Sequence, residues 1–196
     1  MSNYKNFVIT AIGRSGTRFL ANTMNLSKKW TVLHEVGYDK DMIPSWDKII
    51  QKRLEQDYYG EISSQFRFNV RNLVVDKKGV IFRSIDDLVL SNMNWRPERK
   101  PSFVIDIIEK GLEELVYLVQ REDAIPIQFE LMTTSIPYLE SVFYVFGIND
   151  VKITPEIIST KININKSYER TLDELTPDDL KKIRELKELV DGGLNG

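Results

Sequence analysis

The chain has 196 residues, 42% hydrophobic and 29% charged, with a formal net charge of −2. This length makes a single domain over residues 1–196 the default, and nothing in the near-neutral balance suggests a surface that wraps nucleic acid, so an anion site has to be local. The absence of cysteine excludes disulfides, thiolate metal sites and a cysteine nucleophile, and it fits a reducing compartment. The first apolar run is too short for a signal peptide, and no stretch approaches the roughly 20 apolar residues that cross a bilayer, so a cytoplasmic protein with no membrane partner is expected.

Phe7–Ile12 is a short apolar run that reads as a buried strand. Gly13-Arg14-Ser15-Gly16-Thr17 follows as a tight loop, and Phe19, Leu20, Thr23 and Met24 then recur as the inner stripe of a helix. A strand, a glycine loop and a helix start together favour an anion, most naturally a phosphate. The glycines let backbone N–H groups converge, and the helix N-terminus adds about half a positive charge. Arg14 and Arg18 flank the loop and Thr17 adds a hydroxyl. The usual nucleoside-triphosphate loop has four residues between its glycines and Lys-Ser/Thr after the second. Here two residues separate Gly13 from Gly16 and Thr17-Arg18 follows, so that pattern is not met. A solvated turn with adjacent arginines is the other reading of the same residues.

Trp30–Glu35 has the β-branched and aromatic character of a second strand. Strand, helix and strand at this spacing imply a parallel unit whose strand C-termini share one edge, where the sites of open α/β sheets gather. His34, the one histidine of the chain, and Glu35 are then expected near the loop. His34 is suited to proton transfer near neutral pH, and Glu35 would be if burial raised its pKa; strand-end capping is the alternative for both.

Residues 37–71 form the least regular part of the sequence. Pro44–Leu54 can make a short helix with Trp46, Ile49, Ile50 and Leu54 on one side. Beyond it, Tyr59, Glu61 and Arg67 are candidates for contact with a bound substrate, or for simple cover of the sheet. Val80-Ile81-Phe82 reads as a buried strand closed by Arg83 at the same edge as the loop. Ser84 and Asp87 have capping-box spacing before Ile85, Leu88, Val89 and Met93, which places Ser91 about two turns into the next helix. Arg83 and Ser91 can therefore converge on one ligand.

Phe103–Arg121 carries a strong helical stripe, Ile125–Glu130 alternates as an edge strand with an early proline, and Ile136–Phe146 is a helix stopped by Gly147. Ile158–Lys166 is polar and basic, either a solvated loop or one that folds over a ligand. Thr176-Pro-Asp-Asp179 starts a last helix, with Leu180, Ile183, Leu186, Leu189 and Val190 expected to face inward.

The Arg14-Ser15-Gly16-Thr17 core and its spacing resemble the 5′-phosphosulfate loop of the sulfotransferases, which use 3′-phosphoadenosine 5′-phosphosulfate as sulfuryl donor. A second likeness is Arg83 with Ser91 eight positions on, similar to the strand-end arginine and helix serine of that family's 3′-phosphate site, although Ile85 stands where the family often has proline. An arginine fork suits a phosphate, and two separated signals that agree weigh more than either alone. The resemblance implies a P-loop-like α/β fold, a parallel sheet of four or five strands flanked by helices. It implies Arg14, Ser15, Gly16, Thr17 and Arg18 at the 5′-phosphosulfate, Arg83 and Ser91 at the 3′-phosphate, and Lys161 and Asn163 as further contacts there. Glu35 first and His34 second would accept a proton from a small-molecule, carbohydrate or peptide acceptor, and no metal is expected. An atypical P-loop small-molecule kinase and a non-catalytic nucleotide-binding module are the alternatives.

Overall fold

The computed structural model describes residues 5–35, 46–65, 67–159 and 169–194. A five-stranded parallel sheet forms the centre, from β1 (Asn6–Ala11), β2 (Thr31–His34), β3 (Tyr59–Ser63), β4 (Lys77–Phe82) and β5 (Ile125–Gln128), in the order β2-β3-β1-β4-β5. The helices are α1 (Thr17–Met24), α2 (Trp46–Leu54), α3 (Ile85–Trp95), α4 (Pro101–Arg121), α5 (Phe129–Thr134), α6 (Ile136–Val145), α7 (Pro155–Ser159) and α8 (Pro177–Leu194). Among the described residues no helix is long and apolar enough to cross a membrane.

The alternation of the central strands sorts the apolar side chains into two cores. Phe7, Ile9 and Ala11 of β1, with Ile81 of β4, pack on one face with Leu20 and Met24 of α1 and Phe143 of α6. Val8 of β1 and Val80 and Phe82 of β4 pack on the other with Leu88 of α3, Leu112 of α4 and Ile183 of α8. A strand covered on both faces has to be apolar on both, which is why β1 reads as an unbroken apolar run. The helix after β1 thus leaves to one face and the helix after β4 to the opposite face. The loops that follow these two adjacent strands part at the C-terminal edge, and the crevice between them is where open α/β sheets hold their ligands.

Three expectations need correction. β3 runs between the parallel strands β1 and β2, with Val8 opposite Glu61 and Leu33 opposite Glu61 on its other side. Residues 59–63 are thus a central strand rather than part of an irregular pocket-forming stretch, and all five are buried. The Ser84 capping box does not form: Ser84 precedes α3 without a side-chain cap, and its N–H donates to Glu130 Oε1 at 2.8 Å, doing from another element what Asp87 was expected to do. Leu180 is 44% exposed rather than inward, while the box at Thr176 forms as read, with Thr176 N–H and Oγ1 donating to Asp179 Oδ2 and Asp179 N–H donating back to Thr176 Oγ1.

β3 fits between β1 and β2 through Gly60. A Cβ there would stand 2.2 Å from Phe7 Cζ. The Phe7 ring cannot yield, being buried and in contact with Trp30 at 5.2 Å and Phe146 at 5.1 Å between centroids. Gly60→Ala is therefore expected to destabilise the fold by about 1–3 kcal/mol, the usual range for overpacking. Urea denaturation measures it; a midpoint equal to wild type would contradict this packing.

Candidate functional site

The loop after β1 is held in an unusual backbone shape. Arg14 and Gly16 both have φ of 76°, the left-handed region. At Gly16 the glycine is needed twice over, for that φ and because a Cβ would lie 2.6 Å from Phe129 Cε2. At Arg14, a residue that rarely adopts this conformation, neighbouring elements hold the loop in place. Arg83 Nη1 donates to the Arg14 carbonyl at 2.6 Å, Asn92 Nδ2 donates to the Gly13 carbonyl at 3.2 Å, and Arg14 Nε donates to Ser91 Oγ at 3.3 Å. Two segments separated by some 70 residues in the chain, expected at one sheet edge, thus meet at one loop.

The polar groups around the loop are not all satisfied by the protein. Ser15 is 1% exposed and its Oγ has no hydrogen-bond partner; the buried Nε of Arg83 has none either. The Arg83 guanidinium lies over the Phe129 ring, 4.6 Å from its centroid. Buried donors without partners are uncommon in folded proteins and mark positions where a ligand or water completes the bonding. Donors, guanidinium groups and the N-terminus of α1 at one crevice form a setting for an anion.

Across the loop lies a second cluster. Thr17 Oγ1 is hydrogen-bonded to His34 Nε2 at 3.0 Å. Glu35, at φ 50°, directs Oε1 at Ser64, whose Oγ donates at 2.7 Å and whose N–H donates at 3.4 Å, while His34 Nε2 is 3.8 Å away. Burial pushes the His34 pKa below its ordinary 6.5; Glu35 pulls it up, Arg18 pushes it further down, and burial prevails. The neutral form of the imidazole is therefore favoured over the charged one. Arg18 itself is exposed.

Of the residues expected to contact a substrate, Arg67 is at this edge, with Nη1 donating to the Ser64 carbonyl at 2.8 Å. Tyr59 and Glu61 are not on an open surface. They are 2% and 0% exposed, inside β3, and Tyr59 OH donates to Glu61 Oε2 at 2.5 Å. Tyr59 begins the strand, so it sits at the opposite edge from the loop, and burial together with Glu61 raises its pKa well above the usual phenol range. That expectation is corrected: these two are interior residues. Lys161 and Asn163 lie outside the described residues. Ser64, Asn92 and Phe129 escaped the sequence reading. Ser64 follows an unrecognised strand, and Asn92 lies beside Ser91 with nothing in its own type to mark it; Phe129 is placed only by the end of β5. Among the described residues no group of three or more His, Cys, Asp or Glu could hold a metal ion.

No protein-family model matches the sequence, and neither does any curated protein. Solved structures do match its fold. The sulfotransferase domain of the olefin synthase of Synechococcus PCC 7002 superposes with a TM-score of 0.57 at 11% identity, over 95% of this chain and 97% of that one. Mouse sulfotransferase SULT7A1, in a crystal structure of its complex with PAP, superposes with a TM-score of 0.52 at 13% identity, over 100% of this chain and 86% of that one. The chain has a sulfotransferase-like fold.

The environment of His34 has a measurable consequence. A folded-state pKa below that of the unfolded chain means that the unfolded state binds more protons as pH falls, so the stability tied to His34 is complete above about pH 6.5 and is lost progressively below it. In an NMR titration the imidazole midpoint is expected below 6.5, lower still in Glu35→Gln and higher in Arg18→Ala. A midpoint above 6.5 would contradict the arrangement.

Proposed function

We propose that this protein transfers a sulfuryl group from 3′-phosphoadenosine 5′-phosphosulfate to a hydroxyl or amine of an acceptor. The observation that carries the reading is the meeting of two arginine-bearing corners on one loop: Arg83 Nη1 on the Arg14 carbonyl and Arg14 Nε on Ser91 Oγ. A single phosphate would need one such corner. Two of them beside each other suit a ligand with phosphate at both ends, and the sulfotransferase-like fold points to the same one.

The residues fit that ligand. The buried, unpartnered Ser15 Oγ and Arg83 Nε supply donors that the folded chain itself leaves without acceptors. Arg14, Ser15, Gly16, Thr17 and Arg18 would hold the 5′-phosphosulfate with loop N–H groups, hydroxyls and guanidinium charge. Arg83 and Ser91 would hold the 3′-phosphate, where a guanidinium edge binds two oxygens and the hydroxyl a third. The donor supplies an activated sulfuryl group: its bond to the bridging oxygen breaks, a bond to the acceptor oxygen or nitrogen forms, and 3′,5′-bisphosphoadenosine leaves. Arg14 would stabilise the negative charge that grows on the bridging oxygen, the kind of preorganised electrostatic help that lowers such barriers most.

Glu35 would accept the acceptor's proton. Ser64 fixes Oε1, and among the described residues Oε2 has no hydrogen-bond partner, which leaves that oxygen for the proton. His34 is the second candidate. Its Nε2 is already engaged with Thr17, so in this arrangement it orients the Thr17 hydroxyl more directly than it could reach an acceptor.

Calorimetric titration with 3′,5′-bisphosphoadenosine tests the reading. Wild type is expected to bind, and Arg83→Ala to bind about 10–100-fold more weakly, the effect of losing a charge-assisted hydrogen bond to an anion. Glu35→Gln is expected to bind the nucleotide like wild type and to lose about 10²–10⁴-fold in turnover, the range for removal of a general base. Indifference of the wild type to the bisphosphate, or tighter binding of ATP with magnesium, would overturn the assignment.

A further inference from the structure

Arg67 lies four residues past the end of β3, on the Ser64 side of the glycine loop. Its side chain is half-buried, and its Nε is buried with no hydrogen-bond partner. One edge of the guanidinium is tied to the chain by the bond from Nη1 to the Ser64 carbonyl, and the group lies 4.7 Å from the Phe68 ring centroid. Room for it exists because position 111 of α4 is glycine: a Cβ there would stand 3.2 Å from Arg67 Nε and 2.9 Å from Ile12 Cγ1.

What Arg67 lacks among the described residues is a counter-ion. Several other cations drawn against the body of the protein have one, Arg71 with Glu114, Lys78 with Glu122 and Arg170 with Glu174. No carboxylate among the described residues pairs with Arg67, and burial, with no neighbouring charge acting against it, pushes its pKa down. Glu35 does not serve, since its Oε1 is turned to Ser64 Oγ and His34. Among the described residues this half-buried guanidinium is hydrogen-bonded only to a neutral carbonyl, so it has given up hydration without gaining a charge partner there, an unfavourable state for the protein alone.

An anion brought by a ligand removes that deficit, and the donor nucleotide does not provide it. Its two charged ends are allotted to the loop and to Arg83 with Ser91, on the α3 side. Arg67 stands on the other side, joined through Ser64 to the carboxylate that would take the acceptor's proton.

We propose that Arg67 recognises a carboxylate on the acceptor, so that the substrate is an acid carrying its reactive hydroxyl or amine within reach of Glu35 while its carboxylate lies against Arg67. A planar guanidinium matches the two oxygens of a carboxylate better than a lysine would, and an acid would gain an ion pair that its ester cannot. This proposal rests on the sulfuryl-transfer reading above.

The test uses matched pairs of acceptors with the sulfuryl donor: para-hydroxybenzoate and its methyl ester, para-aminobenzoate and its methyl ester, and glucuronate and glucose. For wild type, kcat/KM for the acid of at least one pair is expected to exceed that of the neutral partner by about tenfold or more. Arg67→Gln is expected to abolish this preference and Arg67→Lys to retain part of it, while titration with 3′,5′-bisphosphoadenosine gives wild-type affinity for both variants. Wild type that turns over no acid, or none in preference to its partner, overturns the proposal and leaves nucleotide binding standing. So do variants that bind the nucleotide and keep the wild-type preference. Wild type that fails to bind 3′,5′-bisphosphoadenosine overturns both readings together.

Discussion

The bond from Arg83 to the carbonyl of Arg14 joins the end of β4 to the loop after β1, and the site depends on it. A non-glycine residue in the left-handed region costs of order 1–3 kcal/mol and persists when its surroundings over-determine it. Here the surroundings are one charge-assisted bond to the Arg14 carbonyl and one amide bond from Asn92 to the Gly13 carbonyl. Bonds to charged groups contribute about 1.5–3 kcal/mol, enough to offset the strain. The loop is thereby fixed to α3 and β4. Its shape is a property of the sheet edge as a whole, and no local signal in Gly13–Thr17 would produce it alone.

The order of the strands sets what stands on either side of that loop. With β4 adjacent to β1, the α3 side receives Arg83, Ser91 and Asn92. With β3 adjacent on the other side, Ser64 comes within ordinary contact of Gly13, a Cβ on which would lie 3.8 Å from Ser64 Oγ. β2, one strand further out, then delivers His34 and Glu35 against Thr17 and Ser64. Arg83 with Ser91 and Asn92 thus gathers on one flank, and a carboxylate, an imidazole and Arg67 gather on the other. The proposed reaction, which must hold an anionic leaving group and remove a proton, would place those two tasks on different flanks of the loop.

Most of this was legible where the pattern is local. The run Phe7–Ile12, the glycines at 13 and 16 and the stripe from Phe19 to Met24 lie within one strand, loop and helix, and the structure follows them closely. Arg83 and Ser91 could be placed because each has a fixed offset from an apolar strand or a helical repeat. β3 could not. Gly60, Glu61 and Ser63 are weak strand formers, and they are buried here by their partners, β1 and β2, rather than by an apolar pattern of their own. Missing that strand hid Ser64 and made Tyr59 and Glu61 look like surface residues. The Ser84 box failed for a similar reason: Glu130, distant in sequence, takes the N–H that Asp87 could have taken. Each of these misses lies where a tertiary contact replaces a local one.

The distribution of unsatisfied groups ties fold to function. Four buried side-chain atoms lack partners among the described residues: Ser15 Oγ, Arg83 Nε, Arg67 Nε and Arg53 Nη1. Arg53 acts on Tyr59 at the far edge, but the other three belong to the C-terminal edge of the sheet, within or beside the loop. A fold selected for stability alone would have no reason to collect its unsatisfied donors in one place, since each costs on the order of 1–3 kcal/mol when buried. Collected there, they are a deficit that anionic ligands would remove, which would couple their binding to the stability of this edge through simple mass action. The rest of the chain supports that edge with apolar cores on both faces and paired charges such as Lys182 with Asp106 and Glu109, and it keeps the excess of positive donors local although the whole protein carries a net charge of −2.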